Sequence, residues 1–81
     1  MKNIEKLRKV FSEALGLDIT IIVPDLTYGS IAQWDSIAHM SLVAQIEEDF
    51  DIMLDTDEII DMSSFQVACN ILEKHNVDIE S

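Results

Sequence analysis

The chain has 81 residues, a single cysteine and a formal net charge of −11. This length allows one domain, residues 1–81, with a modest core and no room for a deep catalytic cleft and its supporting shell; one cysteine excludes a disulfide framework and a cysteine-based metal site. Apolar residues make up 48% of the chain, too many for an acidic disordered tail.

Charge is distributed unevenly. Lys2, Lys6, Arg8 and Lys9 are four of the five basic residues, and beyond Val10 only Lys74 opposes fifteen acids. Such a field repels nucleic acid and anionic membrane and draws in basic protein surfaces. Plain solubility is the alternative reason for an acidic chain. No apolar run reaches transmembrane length, and the opening MKNIEKLRKV lacks the apolar stretch of a signal peptide. A cytoplasmic monomer is expected.

Residues 3 to 15 are predicted to be helical. Ile4, Leu7, Val10, Phe11, Ala14 and Leu15 recur at three- and four-residue spacing, and Gly16 follows as a stop. Residues 17 to 34 have no helical period. The β-branched run ITIIV has strand character, with Ile52 to Leu54 as its one conceivable partner, but Pro24-Asp25 and Tyr28-Gly29-Ser30 interrupt it. A long loop pinned across the helices by its apolar side chains is the better expectation, and ordered loops of this length are often functional.

A second helix is predicted over residues 36 to 50, with Asp35 as its cap. Leu42, Val43, Ile46 and Phe50 form a core face, while Ile37, Met40 and Ala44 form a second apolar patch beside Glu47 and Glu48. That patch is either covered by the loop or offered to a partner. A short helix from about Asp57 to Asp61 follows, with Thr56 as cap. The last helix is expected after Ser63, which has capping-box spacing to Gln66, and it ends near His75-Asn76.

Calcium chemistry fails on spacing. An EF-hand loop begun at Asp51 has Thr56 where glycine is required and Met62 where a bidentate acid is required; one begun at Asp55 fails at Ile60 and Gln66. Hydrolysis by Ser36 and His39, one turn apart, lacks a glycine-rich turn to supply oxyanion donors. His39 falls within the core arc but in the first turn, so partial exposure is expected. His75 is placed to complement a helix C-terminus, and Cys69 sits among apolar neighbours as a core residue. Ser36 differs from these. It ends a long loop and begins a helix, where free backbone N–H groups and the helix dipole favour an attached or bound phosphate.

The segment DSIAHMSLVAQIEEDFDIML, residues 35 to 54, resembles the modification segment of the acyl carrier proteins: Asp-Ser-Ile, then an apolar-periodic helix closing in Glu-Glu-x-Phe. The likeness extends to the helix order, the length and the acidity of nearly the whole chain. It implies an all-α four-helix bundle of acyl-carrier type, with a long loop between helices 1 and 2 and a short third helix. It also implies that Ser36 receives 4′-phosphopantetheine from coenzyme A through a separate magnesium-dependent phosphopantetheinyl transferase, with Asp35 aiding recognition. The arm's thiol then holds an acyl group as a thioester, and the domain itself catalyses nothing. Ile37, Met40, Glu47 and Glu48 match the family's partner-contacting side, where acyl-loading and acyl-transfer enzymes dock basic patches.

Some positions depart from the family. Ala38 and Ser41 stand where carriers of fatty acid synthesis usually have acids, and Trp34 replaces a small residue, which favours a specialised biosynthetic pathway. No Gly-Gly precedes the serine, as is common in peptidyl carriers; peptidyl and D-alanyl carriers stay open, as does an unmodified acidic helical adaptor. The family's acyl cavity maps to Tyr28, Ile46, Leu54, Ile59, Met62 and Ala68. Bulky Ile59, the hydroxyl of Tyr28 and nearby His39 point to a short or polar acyl group held largely outside the helices.

Overall fold

The computed structural model describes residues 2–81. Helices α1 (Asn3–Leu15), α2 (Ser36–Phe50), α3 (Thr56–Asp61) and α4 (Phe65–Lys74) follow the expected order, with one 3-10 turn, Ile19–Ile21, inside the long α1–α2 connection. The architecture is all-α, of the acyl-carrier type. Among the described residues the one β feature is an isolated antiparallel bridge between Thr27 and Ser64.

Helix α1 buries Leu7, Val10, Phe11 and Leu15, the stripe its spacing foretells. It stops at Gly16, whose φ of 67° is left-handed and whose N–H reaches back to the Ser12 carbonyl. Its first turn has no side-chain cap. The chain's last residues serve instead: the Ile4 N–H donates to the Ile79 carbonyl at 2.8 Å, with Ile79 itself buried.

The ITIIV run is not a strand. Asp18 accepts the Thr20 N–H, closing a 3-10 turn that exposes Ile19 and Ile21 and buries Ile22. Arg8 holds this turn through Nε to the Ile22 carbonyl and Nη2 to the Ile19 carbonyl, both at 3.1 Å. Ile22, Leu26 and Trp34 then plunge into the core, so the loop is pinned by apolar side chains as expected. Main-chain bonds fasten it to the start of α4: Tyr28 N–H to the Ser63 carbonyl (2.8 Å), and Phe65 N–H to the Leu26 carbonyl (3.0 Å). Phe11 joins the loop to α4 edge-on, 5.4 Å from Trp34 and 5.0 Å from Phe65 between ring centroids.

Two caps lie one residue from their predicted places. Asp55, not Thr56, caps α3 in a reciprocal capping box with Glu58, the two side chains each accepting the other residue's N–H at 2.8 and 3.1 Å. Ser64, not Ser63, caps α4 by accepting the Val67 N–H at 3.1 Å; Gln66 instead bonds Asn70 along the helix surface. In both cases neighbouring residues have equal capping chemistry, and the extended backbone at Asp55 and Ser64 decides which one does it.

Candidate functional site

Ser36 is the first residue of α2 and is exposed. Asp35 caps the helix as expected, its Oδ1 accepting the Ala38 N–H at 2.9 Å. Ahead of it the chain turns at Gly29, whose φ of 78° suits a residue without Cβ, and the Gly29 N–H reaches the Trp34 carbonyl at 3.3 Å. These turns deliver Ser36 at the protein surface with the dipole of a four-turn helix behind it.

Beside Ser36 lies a mainly apolar pocket of about 330 Å³ between α2, α3 and the loop. Tyr28, Met40, Ile59, Ile60 and Met62 give it its apolar walls. Of the six cavity residues expected, Tyr28, Ile59 and Met62 line this pocket, whereas Ile46, Leu54 and Ala68 belong to the packed core. Tyr28 is 44% exposed, so its hydroxyl has access to water and raises no burial problem.

His39 is buried rather than partly exposed, which corrects the expectation from its first-turn position. The Trp34 indole N–H donates to His39 Nδ1 at 2.9 Å, and His39 Nε2 lies 2.8 Å from the Ile59 carbonyl. An indole nitrogen only donates and a carbonyl only accepts, so the imidazole carries its proton on Nε2. Both ring nitrogens are thereby used in structure, which leaves His39 no free lone pair with which to act as a base on Ser36. Trp34 has no exposed surface.

The second apolar patch of α2 is open. Ile37 is 79% and Met40 56% exposed, and Ala44 is exposed too, so the loop does not cover them. Ile60 extends the same apolar surface from α3. The two neighbouring acids differ. Glu48 is exposed, whereas Glu47 is half-buried and its Oε2 accepts the Leu54 N–H at 2.9 Å, holding the α2–α3 connection.

Away from this face, burial pushes the Cys69 thiol up to about 11, in keeping with a core residue and not a nucleophile. His75 does more than sit at a helix end: its Nε2 meets both carboxylate oxygens of Glu58, at 2.9 and 3.0 Å. Among the described residues no helix is long and apolar enough to cross a membrane.

Comparison with known proteins identifies the family. The phosphopantetheine attachment site family matches residues 5–78. An acyl carrier protein of Desulforapulum autotrophicum is 31% identical over 70 residues, a stretch covering 85% of this chain and 91% of that protein. The chain belongs to the phosphopantetheine-attachment family and is an acyl carrier domain. Its cofactor is covalently attached 4′-phosphopantetheine, and domains of this class interact with a phosphopantetheinyl transferase and with acyl-handling enzymes.

Proposed function

We propose that Ser36 is the attachment residue. The observation that carries this reading is an exposed serine at the first position of α2, on the rim of an apolar pocket. In the modification the Ser36 Oγ bonds to the phosphorus of coenzyme A that bears the pantetheine, and the phosphoanhydride bond to adenosine 3′,5′-bisphosphate breaks. The bisphosphate leaves, and the serine proton passes to a base of the separate magnesium-dependent transferase. The residues here suit the product: Asp35 takes the Ala38 N–H through Oδ1, and the remaining free N–H groups of the first turn favour a phosphodiester. Once attached, the arm supplies a thiol that holds the cargo as a thioester.

Partner enzymes dock, in this reading, on the face made by Ile37, Met40 and Glu48, with Glu47 at its edge. Its centre is apolar, and Ala38 and Ser41 supply no acid there, which supports a specialised pathway over housekeeping fatty acid synthesis. The protein acts in the cytoplasm as a monomer.

Incubation with a promiscuous phosphopantetheinyl transferase, coenzyme A and magnesium is expected to add one phosphopantetheinyl group to the intact mass, and none to Ser36→Ala. Unchanged mass under conditions that modify a control carrier would replace this reading with an unmodified acidic adaptor.

A further inference from the structure

The pocket beside Ser36 has an unusual inner wall. Its deep end is closed by two buried side chains, Met62 and His39, while Tyr28 and Ile60 at its mouth are exposed. Behind His39 stands Trp34, stacked on the imidazole at 25° and a centroid distance of 6.0 Å and wedged against Phe11. His39 also spans the gap between two helices, because the carbonyl it reaches belongs to Ile59 of α3.

From these contacts we infer that the Trp34–His39–Ile59 chain of hydrogen bonds is the determinant of cargo length, holding this carrier to short acyl groups. The inference rests on Ser36 being the attachment residue. A few carbons fold back from the arm against Tyr28, Met40 and Ile60 without disturbing any polar contact. A longer chain has to pass His39 to go deeper between α2 and α3. Doing so opens the Nε2–H bond to the Ile59 carbonyl and strips the Trp34 indole N–H of its acceptor, leaving buried polar groups unpaired. Apolar burial rises by one methylene at a time, whereas this cost falls all at once, so intermediate lengths gain nothing by entering. Hydrogen bonding to His39 offers no compensation to a polar cargo either, since both of its nitrogens are taken.

The test loads the full chain from acyl-coenzyme A donors running from acetyl to dodecanoyl. Intact mass reports loading, melting temperature reports burial, and exchange of the Trp34 indole N–H reports the strap. Failure to gain mass would overturn the attachment reading itself and is distinguishable from everything that follows. In the wild type the melting temperature is expected to climb over the first few carbons and then level, with the indole N–H equally protected at every length. Replacing His39 with leucine, which fills similar space but makes no bridge, should extend the climb to the longer chains. His39→Gln, which restores an acceptor and a donor, should level where the wild type does. A steady climb to dodecanoyl in the wild type, or loss of indole protection as chains lengthen, would overturn the inference. So would a folded His39→Leu protein that levels at the wild-type length. Where that variant does not fold, the wild-type series with indole exchange decides alone.

Discussion

The Trp34 indole nitrogen and His39 Nδ1 lie 2.9 Å apart in the interior, joining the last turn of the long loop to the first turn of α2. This bond ties the position of Ser36, which lies between the two residues in sequence, to the aromatic core formed with Phe11 and Phe65. His39→Ala leaves the indole N–H and the Ile59 carbonyl without partners, and each buried group so orphaned costs about 1–3 kcal/mol. Chemical denaturation of the variant is expected to show a loss of about 3 kcal/mol. A loss below half that would mean water or a rearranged side chain satisfies both groups.

Acid should unfold the protein partly through Glu58. The hydrogen bond from His75 and, after it, that from the Asp55 N–H hold its carboxyl below the usual 4.5. Because the folded state lowers the Glu58 pKa, the stabilisation is fully present above pH 4.5 and is lost as pH falls through the folded-state value. Glu58→Gln is therefore expected to flatten the stability profile on the acid side and to lower stability at neutral pH. Urea midpoints measured from neutral to acid pH check both limbs, and parallel profiles for wild type and variant would refute the assignment.

The two glutamates of the proposed docking face should separate by readout. Glu48→Lys touches an exposed charge and is expected to slow association with a cognate enzyme, most at low ionic strength, without lowering the melting temperature. Glu47→Ala deletes the acceptor of the Leu54 N–H and is expected to cost about 1 kcal/mol of stability besides any effect on docking. Identical behaviour of the two variants in both assays would contradict this division.

Salt should stabilise the fold. Lys6 and Arg8 spend their charges on main-chain carbonyls, of Asp49 and of Ile22 and Ile19, rather than on carboxylates. Of the fifteen acids beyond Val10, Glu58 is paired with His75 and Lys74, and most of the others are left to repel one another. Raising ionic strength at neutral pH is expected to lift the melting temperature by about 5 °C, the equivalent of about 1 kcal/mol in a domain of this size. A flat or falling response would show that the acids are locally compensated.

The helices were legible in the sequence because their evidence is periodic and local. Helix α1 announces itself by apolar spacing and Gly16, and α2 by Asp35 and its core face. Cap positions slipped by one residue at Asp55 and Ser64 because composition cannot distinguish two adjacent cap-competent residues. The place of Ser36 at a loop-to-helix junction could be read, since Asp35 and the start of the helical period mark it in the chain. The strap behind it could not. Its acceptor in α3 is a backbone carbonyl, which no side-chain identity betrays, and Trp34 lies in a loop where no period predicts burial. The pairing of His75 with Glu58, seventeen residues apart, was hidden for the same reason: it depends on how α3 meets α4.

The fastening of the loop to the start of α4 has a consequence for how this carrier can be adapted. The bond that joins Tyr28 to Ser63 runs through the N–H of one and the carbonyl of the other, so it needs neither side chain, although the Tyr28 ring also packs edge-on against Trp34 and His39. Yet both side chains line the pocket beside Ser36. Ser63, exposed and held by its carbonyl alone, can be exchanged by design, and the pocket wall is repainted while the scaffold beneath it keeps its shape. It is accordingly the position at which a library of variants should alter the pocket with the smallest toll on folding.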